Sequence, residues 1–173
     1  MVKEAICEDS PLWRVGVIHL FHRLSMLEQI KAELIKHCKP EEKRGLFFSL
    51  FDVNGKPIIS HGTIETDKNI NELTDLIYNG LLAKHEQITK TVVIDIVQSY
   101  LQETDINKLL ALSTKDYWIF LVNNETKSSW AILANTKWVD DIKTAITLIK
   151  QKYNISGNVG MYSFRSERFV VKI

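Results

Sequence analysis

The residues whose side chains are best suited to chemistry lie in one short stretch, where Ser60 and His61 are adjacent and Glu65 follows. A serine nucleophile needs a base within hydrogen-bond reach. Neighbours on a strand point to opposite faces, so Ser60 and His61 are not expected to share a proton. We therefore name no catalytic residue and predict a candidate ligand-binding loop, and the alternative is an exposed strand end with a capping serine. The loop comprises Ser60, His61, Gly62, Thr63 and Glu65.

The spacing of histidines and cysteines does not predict a metal site. His19 and His22 stand three residues apart in a predicted helix, which would place two imidazoles on one face. They are accompanied by neither an HExxH motif nor a nearby carboxylate, so rings packed at a helix edge are the simpler interpretation. The same interpretation applies to His37 and Cys38.

Signatures of nucleotide and nucleic-acid binding are also weak. Gly157 and Gly160 precede a predicted strand rather than a helix, so the chain has neither a dinucleotide fingerprint nor a P-loop. Tryptophans can stack on bases, but three of the four here fall in predicted elements with apolar neighbours. That setting favours core packing for Trp13, Trp118, Trp130 and Trp138.

The candidate loop ends a predicted hairpin that forms the centre of the fold. Residues 46–51 are an apolar run, and Asn54-Gly55 is the commonest pair for a two-residue hairpin turn. The chain returns at 58–60. Pro57 lacks an N–H, so the return strand is predicted to be an edge or to begin after the proline. Residues 61–63 are predicted to break the strand.

Helices and further strands are predicted to cover this hairpin. Apolar residues recur at steps of three and four in the helical segments, and they alternate in the strands. Helices are predicted at 15–37, 70–84, 105–112 and, after a Thr136 cap, 137–153. Strands are predicted at 91–101, 117–122, 130–134 and 161–173. Because helices and strands do not alternate regularly, we expect an α+β fold with a mainly antiparallel sheet and about three to four helices packed on it.

Charged residues on two of the predicted strands are assigned to solvent. Asp95 shares a face with Val93 and Val97, and this face is predicted to be partly solvated. Arg165 and Arg168 are predicted to be ion-paired on a solvated turn or edge rather than to form a phosphate clamp.

Composition is typical of a globular protein. The 173 residues fit one domain or two small interlocked lobes, and 22 basic against 21 acidic residues create no field that favours nucleic acid or membrane. No apolar stretch reaches about 18 residues, so no membrane span is expected. Residues 1–10 are polar, are expected to be flexible and do not resemble a signal peptide. Two cysteines, Cys7 and Cys38, are expected to be reduced thiols of a cytoplasmic protein.

The central stretch resembles the AMMECR-domain family, whose bacterial and archaeal members are called AmmeMemoRadiSam system protein A. Arg44-Gly45-Leu46-Phe47-Phe48-Ser49-Leu50 looks like the family's first core strand. Asn54-Gly55 is similar to its hairpin turn, and Gly62-Thr63-Ile64-Glu65 looks like the tail of its signature loop. The family's order and spacing continue through residues 91–97, 117–134 and 159–164. The resemblance spans roughly residues 24–170 and implies one AMMECR-like domain over 1–173.

The sequence departs from the family at its signature, Leu-Arg-Gly-Cys-Ile-Gly. The matching positions hold Pro57, Ile58, Ile59, Ser60, His61 and Gly62, so only the last glycine is shared. A site that depends on the family's arginine or cysteine would therefore be altered or lost.

The resemblance implies an interaction or small-ligand-binding protein with a degenerate site, whose partner is a protein or a small molecule. One alternative is an enzyme with a cleft around residues 60–65. Another is a sensor or scaffold of the profilin or roadblock kind. A deep pocket at this loop, with a second titratable group in reach, would favour a binding or catalytic site. A flat loop would favour an interaction surface.

Overall fold

A computed structural model describes residues 24–113, 115–126, 129–132, 141–153 and 158–173. The α-helices are α1 (Met26–Leu34), α2 (Ile70–Ile77), α3 (Ile106–Leu110) and α4 (Ile142–Tyr153). The strands are β1 (Leu46–Phe51), β2 (Pro57–Thr63), β3 (Thr91–Glu103), β4 (Trp118–Asn123), β5 (Ser129–Ile132) and β6 (Val159–Lys172). The expected α+β fold with an antiparallel sheet is confirmed. None of the described helices has the length and apolar character needed to cross a membrane.

The six strands form one antiparallel sheet in the order β2-β1-β3-β6-β4-β5. A hairpin lies at each edge, and the two long strands pair at the centre. The elements occur twice in the same order, first as α1-β1-β2-α2-β3 and then as α3-β4-β5-α4-β6. The sequence showed no internal repeat, because it is the order of elements that recurs.

The helices of both halves cover the same face of the sheet, as the alternation of side chains along β6 shows. Phe169 and Val171 pack in a core with α1 and α2, whereas Val159 and Met161 pack in a second core with α3 and α4. All four positions are odd-numbered on one continuous strand, so they project to one side. The other face of the sheet carries no helix among the described residues.

That other face is concave and is filled by aromatic rings. Phe47 on β1 and Phe120 on β4 are separated by β3 and β6, which would place them about 14 Å apart in a flat sheet. Their ring centroids are only 5.8 Å apart, and Phe164 on β6 stacks on Phe47 with centroids 5.0 Å apart. The sheet is therefore strongly curled, and its two edge strands, β2 and β5, approach each other.

The central hairpin is confirmed, but its turn and its end differ from the prediction. Asp52 N donates to Lys56 O at 3.0 Å, so the turn holds three residues rather than two, and Gly55 takes the positive φ of 73°. Strand β2 is an edge, as Pro57 predicted. It does not break at residues 61–63, which pair with β1 in continuous register.

Helix boundaries also differ from the predictions. Helix α1 begins at Met26 because Ser25 and Glu28 form a capping box; residues 15–23 of the longer predicted helix lie outside the described residues. Helix α2 ends at Ile77 and continues as a π-helical turn and a 3-10 helix to Ile88. Asp141 accepts a hydrogen bond from Thr144 N at 2.7 Å at the start of α4.

Several predictions concern residues that the structure does not describe. They are the flexible 1–10 segment, Cys7, the His19–His22 pair, the Thr136 cap, Gly157, and the tryptophans Trp13 and Trp138. Of the remaining tryptophans, Trp118 is buried as predicted, and Trp130 is half-buried against the core under α4.

The prediction of a partly solvated face on β3 is wrong at Asp95 and Val97, which are buried, whereas Val93 is half-buried. Asp95 is 1% exposed because the curl of the sheet brings the aromatic cluster over this face. The placement of Arg168 on a turn or edge is also wrong, since β6 is central in the sheet. The ion pairing is confirmed for Arg168, whose Nε donates to Asp95 Oδ1 at 3.0 Å.

Candidate functional site

A cleft of about 440 Å³ separates the two edge strands on the concave side of the sheet. Its walls are residues 57–62 of β2 and residues 129–131 of β5, and Phe47 and Phe120 lie between them. Because these two rings are in contact distance, they form the floor where the curled sheet comes closest to closing. The volume lies within the range typical of small-molecule sites, about 300–1,000 Å³.

The cleft exists because both edge strands direct small side chains into it. Residues directly opposite each other in an antiparallel pair project to the same face. Gly62 lies opposite Phe47, and Ala131 lies opposite Phe120. Among the described residues, the concave side of the two edges carries Ser60, Gly62, Ser129 and Ala131, with Pro57 at the start of β2. The larger residues of the same strands, Ile59, His61, Trp130 and Ile132, project to the opposite face.

Gly62 is required by close backbone packing. A Cβ atom at this position would lie 2.1 Å from Leu46 O and 2.5 Å from Phe47 Cα. Any side chain would therefore push β2 away from β1. This explains why the strand continues through a glycine that the sequence pattern assigned to a break.

Within the described part of the chain, Ser60 lies in the cleft beside a hydroxyl rather than a base. Its Oγ donates to Ser49 Oγ at 2.8 Å, and Ser49 is the residue directly across on β1. His61 projects to the helical side, as the alternation of the strand predicted. The two side chains that define the candidate loop are therefore on opposite faces of the sheet.

His61 lines a second, smaller cavity of about 340 Å³ between β2 and the α2 segment. Leu73, Ile77 and Leu81 contribute apolar surface to this cavity. Partial burial against this surface lowers the pKa of His61, because the low-polarity surroundings disfavour the imidazolium.

Thr63 and Glu65 also lie outside the cleft. Thr63 Oγ1 donates to the carbonyl oxygen of Glu65 at 2.7 Å, which fixes the chain as it leaves β2. A hydrogen bond to Glu65 raises the pKa of Tyr100, since the carboxylate favours the protonated phenol. The structure thus brings Ser60 and Gly62 to the cleft and divides the other three predicted residues between neighbouring surfaces.

Four residues of the cleft were not singled out from the sequence: Phe47, Phe120, Ser129 and Ala131. The two phenylalanines have the pattern of ordinary core residues, and Ser129 falls in a polar segment assigned to a loop. The alternation of small and large residues in β5 was the one sequence feature that could have indicated a cleft wall. It indicates a wall only when β5 is known to be an edge strand.

A buried polar cluster lies on the same concave face, beside the aromatic floor. Asp95 accepts hydrogen bonds from Ser166 Oγ at 2.7 Å and from Arg168 Nε, and the guanidinium lies 4.7 Å above the Trp118 ring. Burial raises the pKa of Asp95, and the bonds from Ser166 and Arg168 oppose that rise. Asp95 thus faces the interior of the curl, and its hydrogen-bonding capacity is used by β6.

The donor groups of the described residues do not form a metal centre. No group of three or more His, Cys, Asp or Glu side chains among them is arranged to hold an ion. Cys38 is a free, buried thiol whose pKa is raised by desolvation. The cleft wall carries no Asp, Glu, Lys or Arg among the described residues, so a bound molecule would meet hydroxyls, backbone groups and aromatic rings.

Comparison with known proteins finds a solved structure of similar fold. No family model matches the chain, and no curated protein sequence matches it. The crystal structure of the uncharacterized protein PH0010 from Pyrococcus horikoshii is similar, with a TM-score of 0.59 and 14% sequence identity. The match covers 82% of this chain and 84% of that chain. At this level of identity, the similarity is one of fold.

Proposed function

We propose that the protein binds an uncharged ligand in the cleft between β2 and β5, and that the cleft serves binding rather than catalysis. The observation that carries this proposal is the set of small side chains on the inner side of both edge strands. Ser60, Gly62, Ser129 and Ala131 leave about 440 Å³ above an aromatic floor. A planar, largely apolar ligand with one or two hydrogen-bonding groups complements this lining.

The surroundings of Ser60 support binding over nucleophilic catalysis. A serine is activated by a base that accepts its proton, and the partner of Ser60 is another hydroxyl, Ser49. His61 is the nearest imidazole in sequence, but it projects away from the cleft. The hydroxyl pair can donate to and accept from a ligand, which suits recognition of a carbonyl or hydroxyl group.

The family resemblance is consistent with this location. The positions that match the AMMECR signature, 57–62, form one wall of the cleft. Since Ile58 and Ser60 stand where the family has arginine and cysteine, we propose a degenerate site that keeps the cavity and lacks that chemistry.

Two substitutions in the same hairpin test the proposal. Nile red is a neutral, planar dye whose fluorescence rises in apolar surroundings, and we expect it to bind the wild-type protein. Ser60→Phe places a ring in the cleft and is expected to weaken binding by about tenfold or more, which is about 1.4 kcal/mol. Val53→Phe adds the same ring at an exposed position of the hairpin turn, outside the cleft, and is expected to leave the dye affinity unchanged.

Fluorescence titration gives the dissociation constants, and thermal unfolding checks that both variants are folded. Equal loss of affinity in the two variants would place the dye elsewhere. No measurable dye binding to the wild-type protein would contradict the proposal.

A further inference from the structure

Among the described residues, both edge strands lack most of the features that usually protect a sheet edge. An exposed edge presents unpaired N–H and C=O groups, and proteins commonly protect it with lysine, other charges, proline or a bulge. Neither β2 nor β5 contains a charged residue. Pro57 and the irregular register at Leu50 and Phe51 protect only one end of β2.

These two unprotected edges face the same cleft. Residues 57–62 and 129–131 bound it from opposite sides, and their inward side chains are small. Both edges line the space between them, and within the described part of the chain no further strand pairs with either edge.

We propose that the ligand of the cleft is an extended, uncharged segment of a partner protein that adds to β2 as a further strand and lies against β5. This inference rests on the proposed function, because it names the occupant of the same cleft. Strand addition provides backbone hydrogen bonds, and specificity then comes from the pockets that alternate side chains enter.

The topology defines how such a segment lies. Six strands that alternate in direction leave β2 and β5 running in opposite directions. A segment that pairs antiparallel with β2 is therefore parallel to β5. Since β2 has seven residues and β5 has four, the paired segment spans about four to six residues.

The lining defines the composition of the segment. Every second side chain of a strand added here projects onto the concave face, towards Phe47 and Phe120. Those positions favour β-branched or aromatic residues, which pack well on a pleated surface. A charged side chain at such a position would lose its hydration without gaining a partner in the cleft.

A short synthetic peptide tests strand addition on the full-length protein. The probe is the blocked hexapeptide acetyl-Thr-Val-Thr-Val-Thr-Val-amide, and its control carries N-methyl groups on the three valine amides, which removes the donors along one edge. We expect the probe to bind and the control to bind about tenfold more weakly or worse. Ser60→Phe is expected to weaken probe binding to a similar extent, whereas Val53→Phe, at an exposed position of the hairpin turn, is not. Calorimetry measures binding of both peptides to the wild-type protein and binding of the probe to each variant.

Hydrogen–deuterium exchange locates the bound peptide. The probe is expected to slow exchange of backbone amides in β2 and β5, and Nile red is not. If the dye binds and the hexapeptide does not, strand addition is wrong and the proposed function remains. If neither binds, both are wrong. A probe that tolerates N-methylation would also overturn strand addition.

Hydrogen–deuterium exchange of the free protein tests whether the chain itself or a second copy occupies the cleft. Slow exchange of both edges at every protein concentration would mean that the chain covers its own edges. Slow exchange only at high concentration would mean that a second copy does. Either result would overturn the assignment to a partner segment.

Discussion

The two halves of the molecule build the cleft in the same way but line it differently. In the first half, Phe47 lies opposite Gly62 and Ser49 lies opposite Ser60. In the second half, the corresponding pairs are Phe120 with Ala131 and Val122 with Ser129. Each half thus supplies one floor ring, one small residue above it and one serine on the edge strand.

The difference between the halves is chemical. The first edge has a hydroxyl pair, because Ser60 donates to Ser49, whereas the residue opposite Ser129 is an aliphatic Val122. The first edge also approaches its neighbour more closely at Gly62. Shared geometry therefore determines the shape of the cleft, and single residue differences determine its polarity.

The contrast extends across the concave face. Asp95, Ser166 and Arg168 form a polar cluster on the central pair of strands, and Trp118, Phe120 and Phe164 form an aromatic cluster beside it. Arg168 joins the two, since its guanidinium pairs with Asp95 and lies over the Trp118 ring. Changes at Arg168 are therefore expected to affect the whole face.

The largest effect is expected for Arg168→Leu. This change leaves Asp95, which is 1% exposed, as a buried charge without its partner, and we expect a loss of about 3–5 kcal/mol in the free energy of unfolding. Urea denaturation measures it. Arg165→Leu is the matched control on the same strand, because Arg165 lies over the Tyr117 ring and its loss is expected to cost about 0.5–1 kcal/mol. Equal losses in both variants would contradict the role of the buried pair.

Gly62→Ala is expected to have the next largest effect. The new Cβ would overlap Leu46 O and Phe47 Cα, so the free energy of unfolding should fall by about 1–3 kcal/mol. The reciprocal change, Ala131→Gly, adds only backbone freedom at the equivalent position and is expected to cost about 0.5–1 kcal/mol. Denaturant unfolding compares the two. A loss for Gly62→Ala no larger than that for Ala131→Gly would contradict the close approach of β2 to β1 at Gly62.

Asp95→Asn should change the pH dependence of stability. Burial raises the native pKa of Asp95 above the free value of 3.8, so the native state holds this proton more tightly than the unfolded chain does. The contribution of Asp95 to stability is then fully present below pH 3.8 and decreases as the pH rises through the native pKa. The stability difference between wild type and variant should shrink over that range, as measured by urea denaturation in acidic and neutral buffers. A difference that grows with pH would contradict the direction of the shift.

The smallest effect is expected for Ser49→Val, which gives the first half the aliphatic residue found in the second. Ser60 is exposed and can bind water instead of Ser49, so the free energy of unfolding should change by less than about 1 kcal/mol. The variant makes the first wall resemble the second. Its affinity for a ligand with a carbonyl group should fall, whereas affinity for an apolar ligand of the same shape should not. An equal change for both ligands would mean that the hydroxyl pair does not contribute to recognition.

Local features of the first half were readable from the sequence. The apolar run of β1, the place of the turn and the edge position implied by Pro57 depend on neighbouring residues. All three are confirmed, although the turn holds three residues rather than two. The alternation that separated Ser60 from His61 is confirmed as well. Ser25 and Glu28 have the spacing of a capping box, but the prediction of one helix over 15–37 did not use it.

The curl of the sheet could not be predicted from local sequence patterns. It depends on Phe47 and Phe120 meeting across two intervening strands, which no local pattern specifies. The burial of Asp95 and the cleft itself both follow from that curl. Residues such as Ser129 and Ala131 gain a role only when β5 is known to face β2, so the second wall could not be found from residue types.

The most direct test of the cleft is to map the residues that sense a bound ligand. Nile red would be added to isotopically labelled protein while the backbone amide chemical shifts are followed by nuclear magnetic resonance. We expect the largest changes at residues 57–62 and 129–131, on both edges at once. Changes confined to the second cavity, around Leu73, Ile77 and Leu81, would contradict a binding site between β2 and β5.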